Sequence, residues 1–210
     1  MLQARLRDVY WIGGGSGAGK STIARRLAAE HGLHLYATDD VMRDHGRRST
    51  PEDAPSLHRF IAMDADERWV DRTPEVMLET FHWFRGEGFR LIVEDLLRLP
   101  AGTRVIAEGF RLLPHLVAPL LATSRRAVWL LPTPRFRAAA FDGRPSGWVL
   151  PSGMRDPARA RRNLAERDRL FTDRLRAETA RLDLPRVEID AGLGEDELAG
   201  RVARGFGLGR

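Results

Sequence analysis

The stretch Gly14-Gly15-Ser16-Gly17-Ala18-Gly19-Lys20-Ser21 constrains this chain more than any other. It fills every fixed position of G-x-x-x-x-G-K-[ST]. Before it stands Val9-Tyr10-Trp11-Ile12, a β-prone run. After it comes Ser21 to His31, with Ile23, Ala24, Leu27 and Ala28 on one helical face and Gly32 at the end. A strand that ends in a glycine loop and feeds a helix points backbone N–H groups and a helix N-terminus at one spot, and that spot attracts phosphate oxygens. Lys20 supplies a compact charge for the β- and γ-phosphates, and Ser21 a hydroxyl for Mg²⁺. The expected nucleotide-binding set is Gly14, Gly15, Ser16, Gly17, Ala18, Gly19, Lys20, Ser21 and Thr22.

Such a loop needs a sheet to present it. Leu33 to Ala37 reads as a second strand, Arg104 to Glu108 as a third, Ala127 to Leu131 as a fourth and Pro185 to Asp190 as a fifth. Thr50 to Pro100 reads as helical, with Thr73 placed to cap, Pro74 suited to a first turn, and Gly86 and Gly88 as interruptions. Within it Leu91 to Leu99 is read as helix from the spacing of Ile92, Val93, Leu96 and Leu97. Pro114 to Leu121, Phe136 to Phe141, Ala158 to Leu182 and Glu195 to Phe206 are further helices, and the Gly/Pro-rich stretch Asp142 to Pro157 is a flexible loop. Strands alternating with helices predict an α/β fold: a single domain over 1–210 with a five-stranded parallel sheet and helices on both faces.

Composition narrows the partners. The chain has 33 arginines and one lysine, Lys20, against 29 acidic residues, for a net charge of +5. Between Arg125 and Arg181 there are 14 arginines and 6 acids, so the excess is local, and such a patch fits DNA, RNA or a polyphosphate equally well; a polyphosphate is the expected partner here, not nucleic acid. The absence of cysteine excludes disulfides, a thiolate nucleophile and a cysteine zinc site. No apolar run approaches a membrane span, and Met1 to Arg7 is too short and charged for a signal peptide, so a cytoplasmic protein is expected. Nothing in the sequence sets an oligomeric state.

Ligands on open parallel sheets bind at the carboxyl ends of the strands. Asp39 and Asp40 follow the second strand at such an end, where a carboxylate can accept a hydroxyl proton or hold Mg²⁺. Successive residues point in different directions, so one is central; Asp39 is taken as that one, and Asp40 as an acceptor contact. The competing reading is that both acids cap the helix from Val41 onward. Glu108 closes the third strand, with a place either at the metal or at the acceptor, and Arg111 is expected to face the same cleft. Arg43, Arg47 and Arg48 are candidates for an anionic group on the acceptor.

The glycine loop, with the Asp39-Asp40 pair after the second strand, resembles the P-loop kinases of small molecules and nucleotides. Shikimate-kinase-like and chloramphenicol-phosphotransferase-like enzymes are the nearest analogues. The resemblance implies a P-loop NTPase fold, ATP on the loop, Asp39 beside the acceptor hydroxyl, and an acid near the metal at Glu108. The third strand departs from the strict pattern, with three apolar residues and a Glu instead of four and an Asp. The resemblance also implies an acceptor-binding helical region at about 41–100 and a mobile helical lid at about 142–165. Its arginines, Arg155 and Arg159 first and then Arg144, Arg161 and Arg162, would close on the transferring phosphoryl group. On a helix Arg155, Arg159 and Arg162 would share a face. Arg167, Arg169, Arg174 and Arg176 are read as a solvated helix face.

The expectation is an ATP- and Mg²⁺-dependent phosphotransferase acting on a hydroxyl or phosphate of a small molecule. Its catalytic set is Lys20, Asp39, Arg155 and Arg159; its acceptor set is Asp40, Arg43, Glu108 and Arg111; and its metal set is Ser21, Asp39 and Glu108. A nucleoside or nucleoside-monophosphate kinase is the near alternative. A nucleotide-dependent regulatory or RNA-binding protein is the alternative from another class.

Overall fold

The chain folds into layers around central strands that are buried on both faces. The computed structural model describes residues 2–136 and 150–209. After a short helix α1 (Leu2–Arg5) come β1 (Val9–Gly14), α2 (Lys20–His31), β2 (His34–Ala37) and α3 (Met42–Arg48). The middle of the chain forms α4 (Pro55–Ala62), a π-helical turn (Glu67–Asp71), α5 (Pro74–Thr80), a 3-10 turn (His82–Arg85) and α6 (Phe89–Arg98). Then follow β3 (Val105–Glu108), α7 (Pro114–Val117), β4 (Ala127–Pro132), α8 (Pro157–Arg181), β5 (Arg186–Ile189) and α9 (Glu195–Phe206).

The five strands are all parallel, in the order β2-β3-β1-β4-β5. Successive side chains of a strand leave on opposite faces. Tyr10, Ile12, Ile106, Val128 and Leu130 accordingly pack under Ile23 and Leu27 of α2 and Leu198 and Val202 of α9. Val9, Trp11, Val105, Ala107 and Trp129 pack on the other side with Ile92 of α6 and Phe171 and Leu175 of α8. Both faces are covered, as the sequence pattern predicts. The register pairs Ile12 with Glu108 and Ala37 with Glu108, so β2 and β3 end level with Ile12, and β1 runs two residues further to Gly14 along β4.

Two expectations need correction. The helical region 50–100 is a series of short pieces joined by π and 3-10 turns, which is why its apolar residues show mixed periodicity. Neither Asp39 nor Asp40 caps α3: the N-cap is Val41, with no side-chain cap. Thr73 does cap α5, accepting from the Val76 N–H, with Pro74 in the first turn. The predicted helix at 136–141, beyond its first residue, and much of the 142–157 loop, Arg144 included, lie outside the described residues.

Leu130 is fully buried directly beside the glycine loop. Leu130→Ala should cost about 2–5 kcal/mol of stability, read as a lowered urea midpoint at unchanged slope.

Candidate functional site

The site grows from the carboxyl ends of β1, β2 and β3. The loop leaves β1 and turns into α2, with Gly17 and Gly19 at φ of 73° and 78°; Gly19, the helix N-cap, holds a left-handed conformation that a side chain resists. Lys20 and Ser21 therefore begin α2 with the free N–H groups of its first turn around them. Lys20 Nζ turns back across the loop and donates to the Gly15 carbonyl at 2.8 Å. Ser21 Oγ donates to Glu108 Oε1 at 2.9 Å. Thr22 is exposed one position further along the helix.

At the end of β3, Gly109 lets the neighbouring strand ends close up. A Cβ there would collide with the Thr38 hydroxyl. Thr38, Asp39 and Glu108 are thereby pressed together, and the Thr38 N–H donates to the Glu108 carbonyl at 2.9 Å. Burial pulls the Lys20 ammonium below its usual pKa, against the fields of Glu108, Asp39 and Asp168. Burial pushes the Glu108 carboxyl up, opposed by the Ser21 hydrogen bond and Lys20. Asp39 is open to solvent on one side, yet the walls of the cleft push its carboxyl up as well, opposed by Lys20 and Arg111. A hydroxyl and carboxylates of this kind suit Mg²⁺, which takes few protein oxygens and keeps waters and phosphate oxygens for the rest. Among the described residues no three His, Asp or Glu side chains form a ready metal cage.

The remaining predicted residues scatter. Asp40 and Arg43 are exposed at the rim. Arg48 is tied to Asp95 at 2.8 Å and to Asp44 at 3.1 Å. Arg111 lies behind the cleft rather than in it, with only 2% exposure. It rests over Trp83 at 4.0 Å and donates to the Thr38 and Gly88 carbonyls and to His45 Nδ1 at 2.9 Å. A guanidinium can only donate, so His45 Nδ1 accepts and its Nε2–H donates to Asp95 Oδ2 at 2.7 Å. Burial lowers the Arg111 pKa to about 10. Arg155 precedes α8 instead of sharing its face, because Asp156 is the N-cap. It pairs with Asp71, and its N–H donates to Asp66 at 3.1 Å. Arg159 is exposed, its N–H taken by the Asp156 cap.

One pair missed from the sequence is brought in by α8. Arg167, expected on a solvated face, is 1% exposed. It binds Asp168 through two nitrogens, at 2.7 and 3.1 Å, and sits over the rings of Phe81 and Phe84. Asp168 acts on Lys20, and a Cβ on Gly15 would strike the Thr172 hydroxyl, so this helix backs the loop. The signal was available: Leu164, Arg167, Asp168, Phe171 and Leu175 recur at helical spacing, which puts an Arg–Asp pair on the apolar stripe. Along the basic stretch, Arg169, Arg174, Arg176 and Arg181 also meet carboxylates.

His82, 3% exposed, packs between Phe60, Phe81 and Trp83, and its Nδ1 meets no partner. Burial, with Arg111 and Arg167 nearby, pushes its pKa down to about 3. The folded state thus refuses a proton that the unfolded state accepts near 6.5. Stability from this group is lost as pH falls from about 6.5 toward 3. His82→Leu should remove that loss, so urea melts should favour the variant over wild type increasingly across this window.

Comparison with protein-family models and with curated proteins gave no match.

Proposed function

We propose that this protein is an ATP- and Mg²⁺-dependent phosphotransferase acting on a hydroxyl or phosphate of a small molecule. One observation carries the reading. The phosphate-loop sequence occupies the carboxyl end of the central strand, where its Ser21 bonds the strand-end carboxylate Glu108 and its Lys20 lies in the field of Glu108 and Asp39. The P-loop fold and the kinase family belong to this proposal.

The loop amides from Gly14 to Ser21, with Thr22 at the start of α2, bind the phosphates. Lys20 exchanges its bond to the Gly15 carbonyl for phosphate oxygens. Ser21 and Glu108 would hold Mg²⁺, which when bound would neutralise charge on the phosphates. Asp39 orients the acceptor hydroxyl and takes its proton as the oxygen bonds to the γ-phosphorus and the bond to the β-phosphate oxygen breaks. A raised pKa makes Asp39 a better base than an ordinary aspartate, while Lys20 and Arg111 favour its ionised form. Arg111, held by His45 and the Thr38 carbonyl, works from behind Asp39 as a fixed positive charge. Arg155 reaches the transferring group only by leaving Asp71. Carboxylates, some from elsewhere in the chain, answer most of the arginines along 155–181, so the structure adds no support to the RNA-binding reading.

A coupled assay with ATP, Mg²⁺ and a panel of nucleosides, nucleotides, sugars and aminoglycoside-like compounds tests this. One acceptor class should stimulate turnover. Lys20→Arg should abolish transfer with the thermal melt unchanged, because a planar fork does not replace a compact ammonium inside the loop. Full activity in Lys20→Arg contradicts the assignment. The acidic limb of the pH–rate profile should lie above the ordinary aspartate value of about 3.9, and Asp39→Asn should remove transfer while ATP still binds.

A further inference from the structure

A pocket of about 340 Å³ lies among α4, α5 and the 3-10 turn, in the segment expected to serve the acceptor. Three guanidiniums line it: Arg59, Arg72 and Arg85. No carboxylate is among its lining residues. Arg72 is half-buried and, among the described residues, is held only by neutral groups, the Met63 Sδ at 3.5 Å, the Val76 carbonyl at 3.3 Å and the Thr80 hydroxyl. Arg85 donates to the Glu79 carbonyl at 3.0 Å. Arg59 stands exposed at the rim with no ion pair among the described residues. Glu87 touches the wall at Ser56, but its oxygens are taken by the Ser56 and Leu57 N–H groups, both at 2.9 Å.

This differs from the protein's other arginine clusters. Arg48, Arg169 and Arg176 each meet two or more carboxylates. A half-buried cation without an anion is unfavourable unless a ligand completes it. Burial and the nearby Arg167 lower the Arg72 pKa, which is the electrostatic trace of that incompleteness. The pocket also has an apolar side, Phe60 with Met63. Phe60 packs edge-on to Trp69 and Phe81, each at 5.4 Å, and Arg167 lies over those same two rings. A layer of rings therefore stands between the pocket and the Arg167–Asp168 pair that backs the phosphate loop.

We propose that this pocket binds a small molecule with an anionic head, phosphate or carboxylate, on an apolar body, at a site separate from the phosphate loop. Arg59, Arg72 and Arg85 receive the head, the Ser56 and Thr80 hydroxyls help orient it, and Phe60 and Met63 contact the body. The inference stands whether or not the protein transfers phosphoryl groups.

Calorimetric titration of the full chain with phenyl phosphate, benzoate, inorganic phosphate and benzyl alcohol tests it. Saturable binding of phenyl phosphate or benzoate is expected, tighter than inorganic phosphate, and the tighter of the two identifies the head. Benzyl alcohol should bind at least tenfold more weakly. Arg72→Met and Arg59→Ala should each weaken binding roughly tenfold, the effect of losing one charge-assisted contact. Lys20→Ala should leave it unchanged. No binding of either aryl anion, equal binding of the alcohol, or wild-type affinity in the arginine variants overturns the proposal. Loss of binding in Lys20→Ala moves the ligand to the phosphate loop and overturns it too. Arg59 is exposed, so Arg59→Ala decides the matter if Arg72→Met fails to fold.

Discussion

Lys20 gives up much of its water to sit under the glycine loop, and the cleft is arranged around that cost. An ammonium in such a place needs carboxylates, and three supply them from different parts of the chain. Asp39 comes from the end of β2, Glu108 from the end of β3 and Asp168 from the middle of α8. Parallel pairing makes two of these arrive together: β3 lies between β1 and β2, in a register that ends β2 and β3 at one level, just short of the glycine loop that leaves β1. The arrangement is pre-formed around a charge whose hydrogen bond, among the described residues, goes to the Gly15 carbonyl. On the phosphotransferase reading, phosphate oxygens replace that carbonyl.

Behind the cleft stands a second tier that resists rearrangement. Arg111 and Arg167 are almost fully buried, and each lies against aromatic rings, Trp83 for one and Phe81 with Phe84 for the other. Arg167 has its carboxylate in Asp168. Arg111 has none in contact; its link to Asp95 runs through neutral His45. Hydrogen bonds from His45, Arg48 and Tyr36 hold the Asp95 carboxyl below its usual pKa despite burial. Breaking such a buried chain at one member leaves a stranded charge, so these residues keep the cleft's shape.

What the sequence made legible is what local physics controls. The strand–loop–helix unit, the Thr73 cap, and the last helix with its start at Glu195 and end at Phe206 all follow from neighbours in the chain. The acids at Asp39 and Glu108 were legible because a parallel sheet gathers its strand ends at one edge. Arg167 was not, because an arginine rich chain hides one buried guanidinium among many solvated ones; only its place on the Leu164–Phe171–Leu175 stripe marks it. Arg155 was misplaced for a similar reason. Its spacing to Arg159 suits a helix, but Asp156 is the better cap and starts the helix after it. The bonds of His45 and Asn163 join residues far apart in the chain, and periodicity carries no trace of such pairings.

Equilibrium titration with a non-hydrolysable ATP analogue, with and without Mg²⁺, shows whether the glycine loop holds a nucleotide. One nucleotide should bind per chain, more tightly with Mg²⁺ than without. No saturable binding at millimolar analogue, in protein with a cooperative thermal melt, would contradict the account.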